Sequence, residues 1–185
     1  MYEGKNPSAL RSMEWIRLAL LALLEEKKYA QISIKEICAR ADLSRQTFYQ
    51  MFASKDEVMQ YHFRILFQRF AQECDSFQQI TIGGIAERFF TFFHGEERFV
   101  RTLIANNLVY LMEQQFELYL GKISLFHSVN VREAHGDYTT AYIAGALTQI
   151  LVHWFDRSFD LTAVDLSRLT EDIIIGQTIR EAGLV

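Results

Sequence analysis

The chain has 185 residues, half of them hydrophobic, and a net charge of -4, so it has enough apolar surface to fold around a core without disulfide or metal staples. Its two cysteines, Cys38 and Cys74, form no CxxC pair and read as reduced thiols of a cytoplasmic protein, with no metal or redox role. The acidity is unevenly spread: residues 1–72 hold 11 Lys and Arg against 8 Asp and Glu, while residues 73–185 hold 8 against 15, which suggests a polyanion-facing front and an acidic rear.

The one proline, Pro7, precedes everything else, nothing after it interrupts helical patterning, and strictly alternating strands are absent, so the fold class is all-α. The first helix is expected over 8–27, with Met13, Ile16, Leu20, Leu23 and Leu24 on one face. Within it the apolar run Leu18–Leu24, after Arg11 and Arg17, imitates a secretory leader. However, Glu25 and Glu26 stand where a small-residue cleavage site belongs, and the run is far shorter than the roughly 20 residues that cross a bilayer. Neither a leader nor a membrane partner is expected. Ser33 and Glu36 have the spacing of a capping box, which starts a short helix over 34–41 that buries Ile34, Ile37 and Cys38. Ser44 caps a second short helix over 45–52, and Ser54 with Glu57 opens a long one reaching about Cys74. Beyond Asp75 come 10 of the 15 phenylalanines. Helices are expected there near 84–94, 96–105, 107–127, 137–158 and 165–180, with loops at 130–136 and 160–163 and breaks at Gly83-Gly84 and Gly95.

Two short helices joined by Ala41-Asp42-Leu43 fit a helix-turn-helix, whose second helix enters the major groove of DNA. If Phe48 and Phe52 turn inward, Arg45, Gln46, Thr47, Tyr49 and Gln50 face outward. Arg45 suits guanine and Gln46 or Gln50 suits adenine, while the hydroxyls of Thr47 and Tyr49 suit phosphate oxygens. The helix start at Ser54 presents backbone N–H groups beside Lys55, a natural phosphate clamp. An ordinary three-helix unit with a polar surface has the same pattern, and periodicity alone leaves both readings open.

The stretch ISIKEICARADLSRQTFYQMFASKDEVM, from Ile32 to Met59, closely resembles the DNA-binding region of the TetR family of bacterial regulators. The resemblance rests on Ile37 and Ala41, the Ser44 cap, the Thr47-Phe48-Tyr49 run, Phe52, and the Ser54-Lys55-Asp56-Glu57 start of the following helix. Two departures stand out. The family usually has glycine where Asp42 stands, a position Asp tolerates in the left-handed conformation. It also often has glycine near Lys28, a change expected to bear little on DNA binding.

The resemblance implies an N-terminal three-helix DNA-binding domain over 1–55, followed over 56–185 by a larger helical ligand-binding and dimerisation domain. It places Lys35, Arg45, Gln46 and Gln50 at or near the bases and Thr47, Tyr49 and Lys55 at the backbone, with Ser44 in the same interface. The implied partners are double-stranded operator DNA, a second copy of the chain and a small-molecule effector, with no cofactor. The implied role is a repressor that its effector releases from DNA. The alternatives are a helical protein-interaction module and an activator of the same fold that answers a protein partner. Residues 141–155, rich in small side chains, look like a helix of a four-helix dimer interface. The expected contacts are Ala144, Leu147, Thr148, Leu151 and Trp154, with Leu169 and Ile173 from the last helix, and packing within one chain is the competing explanation. Phe89, Phe93, Tyr110, Glu113 and Phe116 are candidates to line an apolar effector cavity, although an aromatic stripe at helical spacing also describes plain core.

No catalytic residue is expected: phosphate-binding glycine loops, nucleophile elbows and HExxH are absent. The five histidines are scattered, and only His127 and His135 are near in sequence, so no metal site is expected either.

Overall fold

The computed structural model describes residues 1–74, 81–120 and 136–181. Among these the regular structure is α1 (Pro7–Glu26), a 3-10 turn (Tyr29–Gln31), α2 (Ile34–Ala41), α3 (Arg45–Met51), α4 (Lys55–Cys74), α5 (Ile82–Gly95), α6 (Glu97–Ala105), α7 (Val109–Leu120), α8 (Gly136–Asp156) and α9 (Ala163–Glu181).

Local chemistry explains most of the boundaries. Asn6 caps α1 by accepting from the Ser8 N–H, with Pro7 in the first helical position where its missing N–H costs nothing. The Ser33–Glu36 capping box is present in both directions. The chain leaves α2 through Asp42 at φ 53°, ψ 45°, so the departure from glycine keeps the left-handed turn. Ser44 caps α3, which ends one residue sooner than expected because Phe52 is already extended at φ -140°. The 3-10 turn was not foreseen. Residues 107 and 108 were expected in a helix but form a turn, in which Asn107 is left-handed at φ 55° and the Leu108 N–H donates back to the Leu103 carbonyl. The rest of that expected helix, residues 121–127, and most of the expected loop at 130–136 lie outside the described residues, while Gly136 already belongs to α8.

In the N-terminal unit α1 packs against α2, α3 and α4. Helix α4 also contacts α5 and α7, so it belongs to both halves of the molecule, while α5 lies along α9 and α7 along α8. One continuous core results, running from Met13, Ile16 and Leu20 through Phe63 and Phe67 to Phe116 and Leu151. No helix among the described residues is long and apolar enough to cross a membrane.

Two groups of expected contacts are placed differently from the sequence reading. Phe89, Phe93 and Phe116 are at most 1% exposed. Phe116 stacks on Phe89 at 4.5 Å and on Phe67 at 5.4 Å between ring centroids, and Phe93 lies 5.7 Å from Phe67. These rings fill the core between α4, α5 and α7. Tyr110 points out at 48% exposure, and the Glu113 carboxylate sits at the crossing of α7 and α8, where a Cβ on Gly145 would lie 3.3 Å from it. On α8, Ala144, Leu147, Thr148, Leu151 and Trp154 are all buried within their own chain, so this face packs inward. Leu169 and Ile173 on α9 are exposed, at 47% and 40%. The outward surface beside Leu169 is a cleft that also includes Gln149, Ile150, His153 and Leu161.

Candidate nucleic-acid interface

Helix α3 is too short to hold its own conformation in water, and its position comes from the side chains beneath it. Phe48 and Phe52 are at most 1% exposed, Met51 is buried beside them, and Ile37 of α2 is fully buried. The Phe48 and Phe52 centroids lie 6.1 Å apart, and Tyr61 of α4 continues the row at 5.7 Å from Phe52. A turn of helix set on this aromatic floor can present only its other side to solvent.

That side carries Arg45, Gln46, Tyr49 and Gln50, all exposed, and Thr47, half-buried. Ser44 Oγ accepts from the Thr47 N–H at 3.0 Å and lies 2.9 Å from the Thr47 hydroxyl, so these two side chains hold the helix start as well as facing outward. The Tyr49 ring stands edge-on to Phe48 at 5.6 Å, which fixes its plane while half its surface stays accessible. Lys35 is exposed on α2. Among the described residues no carboxylate pairs with Lys35 or Arg45, whereas Arg40 is bridged to Glu26 at 2.8 Å and Lys27 to Glu36. Lys27 and the Ser33 cap hold the Glu36 carboxyl down at about 2, so it stays ionised as half of the capping box.

Lys55 departs from the expected role. Its ammonium donates to the carbonyls of Tyr29 at 2.7 Å and Ile32 at 2.9 Å, and lies 4.3 Å from the centre of the Tyr29 ring. Burial lowers its pKa. Beside it Glu57 accepts from the Ala53 N–H at 2.8 Å and the Ser54 hydroxyl accepts from the Glu57 N–H. The ammonium expected to meet a phosphate is thus held by the chain's own carbonyls.

Beneath the interface, a polar link with no local sequence signature joins α1 to α4. Arg17 pairs with Glu14 and donates from Nη1 to His62 Nδ1 at 2.8 Å. A guanidinium can only donate, so Nδ1 is the accepting nitrogen and the ring is neutral with its proton on Nε2. Burial, with Arg17 alongside, pushes the His62 pKa down to about 3. Phe99 of α6 meets this imidazole edge-on at 4.4 Å. Among the described residues no group of three His, Cys, Asp or Glu is placed to hold a metal ion.

Residues 16–61 match the family described as bacterial regulatory proteins, tetR family. Among solved structures, the chain is similar to Lin0861 from Listeria innocua, with a TM-score of 0.77, 16% identity and 96% of each chain covered. It is also similar to the dihydroxyacetone kinase operon activator DhaS, with a TM-score of 0.55, 18% identity, and 90% of this chain and 95% of that one covered. At these identities the likeness is one of fold. No curated protein matches the sequence at a significant level.

Proposed function

We propose, for a DNA-binding transcriptional regulator whose residues 16–61 belong to the tetR family, that the chain is a repressor held on its operator as a homodimer and released by a small-molecule effector. The observation that carries the DNA contact is the outer face of α3, where exposed Arg45, Gln46, Tyr49 and Gln50 stand on a fully buried Phe48 floor. Arg45, Gln46 and Gln50 read base edges, with Lys35 close by. Ser44, Thr47 and Tyr49 meet phosphate oxygens. Lys55 is left out of the contact set, because its ammonium is engaged with Tyr29 and Ile32.

In this reading residues 1–55 form the DNA-binding head and residues 56–185 the effector and dimerisation body. Two heads related by a twofold axis reach half-sites about 34 Å apart. The dimer forms through the outward surface of α8 and α9, with Leu169 and Ile173 and not the inward-facing Ala144 row. Effector binding in the body displaces α4, which packs on both halves, and so moves the heads off that spacing. An activator of the same fold is the second reading, favoured by the likeness to DhaS, an operon activator.

The test is binding of the purified protein to its own upstream DNA at two salt concentrations. Specific binding that weakens steeply with salt is expected, and Arg45→Ala and Tyr49→Ala should each lose at least about fivefold, the lower end of what one good contact is worth, about 1–3 kcal/mol. A folded protein that selects no sequence, from this DNA or from a random pool, would rule the reading out. A reporter gene behind the selected site separates repression from activation.

A further inference from the structure

The segment between α1 and α2 is fastened to the turn between α6 and α7. The Tyr29 N–H donates to Asn106 Oδ1 at 2.7 Å, and Asn106 Nδ2 donates to the Thr102 carbonyl at 2.8 Å. Only one orientation of the carboxamide satisfies both, because the N–H needs an acceptor and the carbonyl a donor. The Lys28 ammonium reaches the Ala105 carbonyl at 3.0 Å. Helix α4 grips the same segment from its other side: Lys55 binds the Tyr29 and Ile32 carbonyls, and the Tyr29 hydroxyl donates to Asp56. A single residue, Ile32, separates the fastened turn from the capping box that begins α2. On the body side the anchor has a fixed shape, with Asn107 left-handed and Leu108 bonded back to Leu103 at 2.9 Å.

We propose that Asn106 is a positioning residue for operator recognition: its carboxamide fixes the angle of the helix-turn-helix against the body, and so sets the half-site spacing that a dimer accepts. The proposal rests on the operator-binding reading above. A head attached through α4 alone can pivot about the start of that helix, and a pivoting head loses affinity at the matched spacing while tolerating others. The Asn106 bond removes that freedom at the point where the chain enters α2. Lys28, whose ammonium reaches the Ala105 carbonyl, is the second hook.

The experiment compares the full chain with N106A, N106D and Q50A on palindromes whose spacer is native, one base pair shorter or one base pair longer. N106A should lose about tenfold at the native spacer, the scale of one hydrogen bond in each of two heads, and bind the three spacers more evenly. N106D keeps an acceptor for Tyr29 but loses the donor to the Thr102 carbonyl, so it should recover part of the spacer preference that N106A loses. Q50A should weaken all three spacers alike. Amide exchange without DNA reads the fastening directly, and N106A should speed exchange at Tyr29 and across α2 and α3. Wild-type spacer preference in N106A, or unchanged exchange at Tyr29, would overturn the proposal. If the unmodified chain binds no palindrome while N106A still speeds exchange, the operator reading falls and the fastening stands.

Discussion

His62 and Thr148 are buried polar side chains in opposite situations. The His62 imidazole accepts from Arg17 and is held neutral down to about 3, whereas an unfolded histidine titrates near 6.5. Between those values the unfolded chain binds a proton that the folded chain does not, so stability falls as pH drops below about 6.5 and continues to fall toward 3. From pH 7 to pH 5 this amounts to about 2 kcal/mol. His62→Gln keeps an acceptor for Arg17 and removes the titration, so its unfolding midpoint in urea should fall less over the same interval. Equal losses in the two proteins would mean that His62 does not control the acid response. Among the described residues the buried Thr148 Oγ1 has no hydrogen-bond partner, and a hydroxyl so placed costs about 1–3 kcal/mol of desolvation. Thr148→Val, which swaps the hydroxyl for a methyl of nearly the same size, should raise stability by about 1 kcal/mol in the same assay. A destabilised Val variant would show that the hydroxyl is satisfied.

At the scale of elements, the sequence was legible wherever an element's boundary is set by its own residues. The Ser33–Glu36 box, the Ser44 cap and the left-handed Asp42 turn involve partners within a few positions, and each is found where the spacing put it. What could not be read depends on distant residues. The 3-10 turn at Tyr29–Gln31 is held by Asn106, a separation of 77 positions, and no local pattern announces it. The engagement of Lys55 went unread for the same reason, since the carbonyls that hold its ammonium lie 23 and 26 positions away. The Asp42 turn offers a test of the local reading. Asp42→Gly should leave stability within about 0.5 kcal/mol, because glycine takes φ 53° freely, whereas the β-branched Asp42→Val should cost about 1–2 kcal/mol. Equal stability for the two variants would mean that the turn relaxes out of the left-handed region.

For the molecule as a whole, the difficult question in the sequence was which side of α8 faces a partner. A helix with apolar residues on one face states that the face is buried, and says nothing about whether the covering surface comes from the same chain or from another. The small-residue row from Ala144 to Leu151 suggested close helix approach, which is correct, but the helix that approaches is α7 of the same chain, near enough for Glu113 to sit over Gly145. The surface left over joins Leu161 and Leu169 to Gln149, Ile150 and His153 in one cleft, with Val164 and Ile173 also exposed on α9. Under the proposed dimer reading, these apolar side chains beside the cleft are the surface that a second copy covers. Leu169→Glu with Ile173→Glu should therefore convert the protein to a monomer in sedimentation at micromolar concentration. The far-ultraviolet spectrum should stay unchanged, because both positions are already wet in the single chain. Operator affinity should fall by at least a hundredfold, since each head then binds its half-site without the other's contribution to effective concentration. The matching change on the inward face, Leu147→Glu, should unfold the chain, because it buries an unpaired carboxylate at a position 2% exposed. A dimer that survives the α9 substitutions would move the interface to another surface, and a folded monomer produced by Leu147→Glu would restore the inward row as the contact.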